Sequence, residues 1–201
     1  MELYDNQLTK IENLDCLVNL TLLDLSHNRL RKIEGLENLT KLKKLFLVSN
    51  KISKIENLET LTNLTMLELG DNRIRKIEKL ETLVNVEELF LGKNKIRVIE
   101  NLDSLTSLRL LSIQTNRIRE FSGLSNSATL EEVYIADNGI TSLAGLENHN
   151  LQTLDISNNK LEELSGTLAY FLTKGRVKKE FALTNSANDT EIVRIHQYYQ
   201  E

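Results

Sequence analysis

Apolar residues recur along this chain with a period of 22 residues, and each period has the same internal spacing. One such unit consists of Leu42, Leu45, Leu47, Asn50, Ile52, Ile55, Leu58 and Leu61. Equivalent units start at Leu20, Leu64 and Val86 and keep the same template. A fixed period of this length indicates a stack of similar coils, because one coil cannot bury its own leucines and its neighbours must do so.

Both ends of the chain depart from this template. The fifth unit has Phe121 and Ser127 at two apolar positions, and the residues before Leu20 form only the back part of a unit. We therefore predict a solenoid over residues 1–164, with about eight coils of which the first is incomplete, and a tail without repeats over residues 165–201. Within the tail, Ile192, Ile195 and Tyr199 either line one face of a helix or belong to a disordered segment.

The spacing inside one unit predicts its local structure. The segment with the pattern L-x-x-L-x-L ends in strict alternation, which is typical of a short strand buried on one side. The apolar residues Leu36, Leu39 and Leu42 then recur every three residues, which favours 3₁₀ or extended turns over an α-helix. The predicted fold class is an α/β repeat solenoid of the leucine-rich-repeat type, with parallel strands on its concave face.

An asparagine follows each predicted strand at one fixed offset. A short amide side chain at a tight bend can satisfy backbone groups that the turn would otherwise bury, including groups of adjacent coils. We call these residues the ladder asparagines: Asn6, Asn28, Asn50, Asn72, Asn94, Asn116, Asn138 and Asn159.

Side chains that flank the buried leucine of each strand must point away from the core, because alternate residues of a strand face opposite sides. We expect these side chains to form a surface of two rows, which we call the strand face. Its aromatic residues with neighbouring acids are typical of a protein-binding patch. The first row is Asp24, Phe46, Glu68, Phe90, Ser112, Tyr134 and Asp155, and the second is Leu22, Lys44, Met66, Glu88, Leu110, Glu132 and Thr153.

Positive charge is concentrated just after the ladder asparagines. Such residues usually form a solvated surface. The carboxylates of the strand face disfavour nucleic acid as its partner, since they repel phosphates, and favour a basic protein surface. We call the cations the basic edge: Arg29, Arg31, Lys32, Lys51, Lys54, Arg73, Arg75, Lys76, Lys95, Arg97, Arg117 and Arg119.

No pattern of residues points to catalysis, a metal or a cofactor. His27, His149 and His196 are far apart and match no ligand spacing, and the eight glycines form no phosphate-binding loop. His27 is predicted to be a solvated surface residue. Cys16 is predicted to be a small buried or half-buried thiol rather than a nucleophile. We therefore predict a non-enzymatic chain without a small-molecule substrate.

Composition and the first residues bear on location. The net charge of −4 gives no general reason to expect nucleic acid or an anionic membrane as partner. The chain has no run of 18 apolar residues, so the sequence predicts no membrane span. A single cysteine fits a reducing compartment, and the first six residues lack the features of a secretory signal. An intracellular location is the expectation from these features.

Several segments closely resemble one family, the leucine-rich-repeat regulatory subunits of protein phosphatase 1 (the regulatory subunit 7, SDS-type, family). The resemblance covers residues 1 to about 164 and includes variable strand positions such as Phe46 and Phe90. It also implies a chain shortened at both ends, because the family has upstream coils, a later coil with a tryptophan strand and a capping segment. The segments that carry the resemblance are 3–8, 43–58, 66–70, 88–96 and 145–148.

In that family the concave face binds the catalytic subunit of the phosphatase, in the nucleus and cytoplasm. The resemblance implies that Asp24, Phe46, Glu68, Phe90 and Asp155 contact the catalytic subunit. Ser112 and Tyr134 also match family positions. Two other protein classes remain open for a chain of this kind: scaffolds of dynein or ciliary complexes, and the spliceosomal leucine-rich-repeat subunits.

Overall fold

The computed structural model describes residues 1–120, 123–124, 128–142 and 151–161, and the backbone of 194–196. Phe121, Ser127 and His149, three residues singled out by the sequence pattern, lie outside the described residues. So does the tail over 165–201 apart from 194–196, which leaves its predicted boundary at residue 164 a prediction.

Each repeat contributes one strand of three residues to a single sheet. Neighbours in the sheet are also neighbours in the sequence. The strands are β1 (Leu22–Asp24), β2 (Lys44–Phe46), β3 (Met66–Glu68), β4 (Glu88–Phe90), β5 (Leu110–Ser112), β6 (Glu132–Tyr134), β7 (Thr153–Asp155) and β8 (Arg194–His196).

The first seven strands pair in parallel and in strict register. Leu23 lies opposite Leu45, Leu45 opposite Leu67, and Leu67 opposite Leu89. Six turns of the chain connect these seven parallel strands, so the predicted repeat solenoid is confirmed. The eighth strand differs, because β8 pairs antiparallel to β7. A helix through Ile195, one of the alternatives for the tail, is therefore wrong.

The side opposite the sheet consists of tight turns, as the three-residue spacing predicted. The amide of Leu39 donates to the carbonyl of Leu36 at 2.9 Å, and that of Leu42 donates to Leu39 at 2.9 Å. These i to i−3 hydrogen bonds are those of 3₁₀ turns. The same pair of bonds recurs one coil later at Leu61 and Leu64. No α-helix occurs among the described residues.

The apolar positions of the repeat form one continuous core along the solenoid. Most of its leucines and isoleucines are fully buried, from Leu23 in the first complete coil to Ile140. Among the described residues, the partly buried apolar side chains that pack against this core lie towards its two ends, at Leu3, Leu8, Leu17, Leu20 and Leu161. Stacking of adjacent coils thus buries what a single coil would expose.

The ladder asparagines connect adjacent coils, as predicted. The amide nitrogen of Asn50 donates to the carbonyl of Leu25 in the preceding coil at 3.0 Å, and also to Leu47 and Val48 within its own turn. Its amide oxygen accepts the N–H of Leu30 at 2.9 Å. The side chain of Asn6 forms only local hydrogen bonds, to the carbonyls of Leu3 and Tyr4.

Two further rows of residues have a left-handed backbone, which the sequence pattern did not predict. One row precedes the ladder asparagines, and His27 belongs to it with a φ of 55°. This residue is exposed, as predicted, and its ring meets that of Tyr4 edge to face. The second row is Asn13, Gly35, Asn57, Lys79, Asn101 and Gly123.

Replacing Lys79 by asparagine should raise the free energy of unfolding by about 0.5–1.5 kcal/mol. Asparagine tolerates a left-handed backbone better than lysine does. The amide nitrogen of Asn57 donates to the carbonyl of Ile33 at 2.7 Å, and Asn101 does the same to Ile77. An asparagine at position 79 is therefore expected to reach the equivalent carbonyl of Ile55. Urea unfolding followed by circular dichroism measures the gain.

The control for this change is Lys76→Asn, which removes the same charge from an exposed residue without a left-handed backbone. It should leave the free energy of unfolding unchanged or slightly lower. Equal stabilisation by both variants would assign the effect to charge and contradict the conformational explanation.

Cys16 is exposed, so the prediction of a buried or half-buried thiol is wrong. The residues that point inward in this coil are Ile11 and Leu14, with Leu17 partly buried three residues later. Cys16 lies between two inward positions of this three-residue spacing, and its side chain therefore points to solvent.

Candidate functional site: the strand face

The first row of the strand face is one continuous line of side chains. Asp24 lies opposite Phe46 in the sheet, Phe46 opposite Glu68, and Glu68 opposite Phe90. The line continues through Ser112 and Tyr134 to Asp155. Parallel strands are about 4.8 Å apart, so neighbouring side chains in the row are within contact distance of one partner surface.

The aromatic side chains of this row are half-buried rather than interior. Phe46, Phe90 and Tyr134 are partly exposed, whereas the central residue of each strand from β1 to β7 is fully or almost fully buried. The predicted orientation of these residues, away from the core, is therefore confirmed. A free solenoid leaves part of each ring in contact with water.

Ser112 is the exception in the row, because only 6% of it is exposed. Its hydroxyl donates to the side-chain oxygen of Gln114 at 2.6 Å. Ser112 lies between Phe90 and Tyr134 in the sheet, so its short side chain has a longer one on either side. Its contribution to the accessible surface is therefore small.

The three carboxylates of the row are oriented by the backbone two residues later. Asp24 accepts the N–H of Ser26 at 2.8 Å, and Glu68 accepts that of Gly70 at 2.7 Å. Asp155 accepts both the N–H and the hydroxyl of Ser157. A carboxylate held in this way is already ordered when a cationic group arrives, so less entropy is lost on binding.

Burial raises the pKa of the Glu68 carboxyl above its ordinary value, and the hydrogen bond from Gly70 opposes that effect. The folded state then favours the protonated form relative to the unfolded chain. Ionised Glu68 therefore destabilises the fold as the pH rises from the unfolded pKa through the folded one. A cation supplied by a partner would lower this pKa again and stabilise the carboxylate.

Gly70 and Gly92 create a shallow depression of about 240 Å³ beside Glu68 and Phe90. A Cβ atom at Gly70 would lie 2.7 Å from the carboxylate of Glu68, and one at Gly92 would lie 2.9 Å from the amide nitrogen of Gln114. The two glycines thus leave room for the side chains that line the depression. Reasoning from the strand positions alone missed them, although both occur two residues after a first-row position.

The second row of the strand face is also in register, and Tyr134 connects the two rows. Leu22 lies opposite Lys44, and Lys44 opposite Met66. The Tyr134 hydroxyl donates to Glu132 in the second row at 2.8 Å. Burial, and then this acceptor, raise the pKa of the Tyr134 hydroxyl, so it remains a donor at neutral pH.

Nothing in the described residues suggests an active site on this face. Within them, no three histidine, cysteine, aspartate or glutamate side chains are close enough together to hold a metal ion. The same part of the chain contains no helix with the length and apolar character needed to cross a membrane. The strand face offers acids, half-buried rings and a shallow depression, and these features suit contact with a protein surface.

Sequence comparison identifies the repeats independently. The family model described as leucine-rich repeats (2 copies) matches residues 40–82, 84–126 and 128–169, and the single leucine-rich-repeat model matches residues 19–39. No curated protein matches the chain significantly in sequence.

Solved structures with the same fold include internalin C2 of Listeria monocytogenes, which is 30% identical with a TM-score of 0.78 over 84% of this chain and 74% of that chain. A leucine-rich-repeat protein of Leptospira interrogans is 30% identical, with a TM-score of 0.76, and this chain covers 45% of it. A second Listeria monocytogenes internalin, inlF, is 29% identical, with a TM-score of 0.67 over 80% of this chain and 49% of that one. With its repeats matched over most of its length, the chain belongs to the leucine-rich-repeat proteins.

Proposed function

We propose that this protein is a non-catalytic regulatory and scaffold subunit that binds the catalytic subunit of protein phosphatase 1 through its strand face. The alternation of acid and aromatic side chains in the first row, Asp24, Phe46, Glu68 and Phe90, is the observation that carries the proposal. The family resemblance of residues 1 to about 164 supports this particular partner. The subunit would work in the nucleus and cytoplasm.

The chemistry of the row favours a partner surface rich in lysine and arginine. A cationic head group can pair with Glu68 while its alkyl stem packs against the rings of Phe46 and Phe90 on either side. Removing Glu68 from water already disfavours its charge, so a cation from the partner stabilises it. Asp24 and Asp155 offer further carboxylates towards the two ends of the row.

Changing both Phe46 and Phe90 to alanine should weaken binding of the phosphatase catalytic subunit at least about tenfold. The two rings are the largest half-buried apolar groups of the row. Because neither belongs to the core, the circular dichroism spectrum should not change. Titration of the purified catalytic subunit against the full chain, by surface plasmon resonance, measures the loss.

The matched control is Val18→Ala with Val84→Ala. Both valines are exposed but lie outside the strand rows, so their loss removes apolar surface elsewhere and should leave affinity unchanged. If the Phe46 and Phe90 double variant bound the catalytic subunit as tightly as the unchanged protein, the proposed docking surface would be wrong.

A second candidate is a scaffold for a different complex, such as a dynein, ciliary or spliceosomal assembly. The family models describe leucine-rich repeats in general, which favours a protein-binding role without selecting the partner. Affinity purification from cells followed by mass spectrometry distinguishes the two candidates. The unchanged protein could recover a complex that lacks the phosphatase, and the Phe46 and Phe90 double variant could fail to recover it. That result would support the strand face as the docking surface and contradict the phosphatase as the partner.

A further inference from the structure

The basic edge is a regular array, because backbone hydrogen bonds hold it coil against coil. The amide of Lys51 donates to the carbonyl of Leu30, that of Arg73 to Ile52, and that of Arg117 to Ile96, each at 2.8 Å. Each bond joins a cation of one coil to the backbone of the preceding coil. Cations at this position are therefore spaced by about one coil, roughly 4.8 Å.

A groove of about 660 Å³ lies at the end of this array. Arg97, Arg117, Arg119 and Lys160 line it, and all four are exposed. Gly139 occupies the position that Arg117 and Lys160 hold in the adjacent coils. Because this glycine has no side chain, the groove is open between those two cations.

The cations of the groove lack anionic partners within the described part of the chain. The one ion pair found there joins Arg109 to Glu131 at 2.6 Å, and neither of them lines the groove. Among the described residues that line the groove, Glu120 is the single acid, against four cations. The described lining therefore carries a net positive charge, and a bound anion would lower the electrostatic energy of the groove.

We propose that this groove binds an anionic segment of a partner protein, either rich in aspartate and glutamate or phosphorylated. Arginine presents a planar set of donors that matches the oxygens of both carboxylate and phosphate. The site is separate from the strand face and independent of which partner binds there. It would give the scaffold a second binding surface for an acidic chain.

The lining of the groove favours a peptide over a nucleic acid. Single-stranded nucleic acids are held by aromatic side chains that stack on the bases, and none of the described residues that line the groove is aromatic. Glu120 would repel a continuous chain of phosphates, whereas a peptide can place an uncharged residue beside it. Val98, which is 50% exposed, offers an apolar contact for such a residue.

Fluorescence anisotropy with labelled ten-residue probes tests the proposal on the full chain. The probes are decaglutamate, a peptide of alternating glycine and phosphoserine, and decauridylate, at about 50 mM salt where charge interactions are weakly screened. We expect at least one anionic peptide to bind. The Arg97→Ser, Arg119→Ser double variant should bind it at least about tenfold more weakly.

Two further variants separate a local site from general charge. Lys41→Ser with Lys43→Ser removes the same charge from exposed positions outside the groove and should change affinity less than about twofold. Gly139→Leu keeps the charge but fills the groove, and a Cβ there meets only ordinary contacts, the nearest at 3.4 Å. It should weaken peptide binding without changing the midpoint of urea unfolding.

The outcomes decide the proposal. The peptide that binds more tightly identifies the anionic group, and either result supports the groove. Tighter binding of decauridylate than of both peptides would overturn it in favour of nucleic acid. Equal weakening by the arginine and lysine double variants, or no binding of either peptide, would show that the groove is not a site.

Discussion

Asn72→Ala is expected to lower the free energy of unfolding by about 3–5 kcal/mol, because several buried backbone groups lose their partner at once. The amide nitrogen of Asn72 donates to the carbonyls of Leu47, Leu69 and Gly70 at 2.9–3.1 Å. Its amide oxygen accepts the N–H of Ile52 at 2.9 Å. Alanine satisfies none of these groups, and water has little access to a residue that is only 8% exposed.

Asn6→Ala is the control for this prediction. Asn6 occupies the same repeat position, but it is exposed and bonds only to the carbonyls of Leu3 and Tyr4. Water can replace both bonds, so the change should cost less than about 1 kcal/mol. Urea unfolding of both variants measures the difference. Similar costs at the two positions would mean that the asparagine contributes through its own turn, not by joining adjacent coils.

Leu111→Ala should destabilise the protein by about 2–5 kcal/mol, through loss of apolar contact and a cavity between coils. Leu111 is fully buried and lies opposite Leu89 and Val133 in the sheet. The cavity would open at both interfaces of one coil. In a solenoid those interfaces supply much of the stability, because each repeat contacts only its neighbours. The midpoint of urea unfolding should fall accordingly.

The adjacent residue provides a matched control. Leu110 is the same amino acid in the same strand, but it belongs to the second row of the strand face and is half-exposed. Leu110→Ala should cost less than about 1 kcal/mol, because it removes little buried surface. Comparable losses for the two variants would contradict the assignment of inner and outer positions on which the strand face depends.

The same register that stabilises the solenoid also builds its candidate binding surface. The in-register pairing of Leu45 with Leu67 necessarily places Phe46 beside Glu68. A slip of one residue in one coil would reverse which side chains face the core. Fold and strand face therefore depend on one property of the chain, its constant repeat length.

The amino-acid pattern alone predicts the solenoid, most of its buried positions and which residues belong to the strand face. A chain with apolar side chains at fixed offsets in a period of 22 residues buries them by stacking its coils in register. That stacking also predicts that Phe46, Phe90 and Tyr134 lie on one side of the sheet, and that the ladder asparagines bond across coils. These inferences succeed because they need only the alternation of side chains and the repeat length.

How much of each side chain is accessible, and which groups it contacts, depends on the folded arrangement and not on the repeat pattern. The burial of Ser112, the exposure of Cys16 and the raised pKa of Glu68 depend on neighbours 22 or more residues away or on the turn of the local backbone. The groove near Gly139 is open because this residue has no side chain, whereas Arg117 and Lys160 hold the same position in the adjacent coils. A repeat pattern fixes positions along the chain, but solvation and electrostatics are set by the particular residues that stacking brings together.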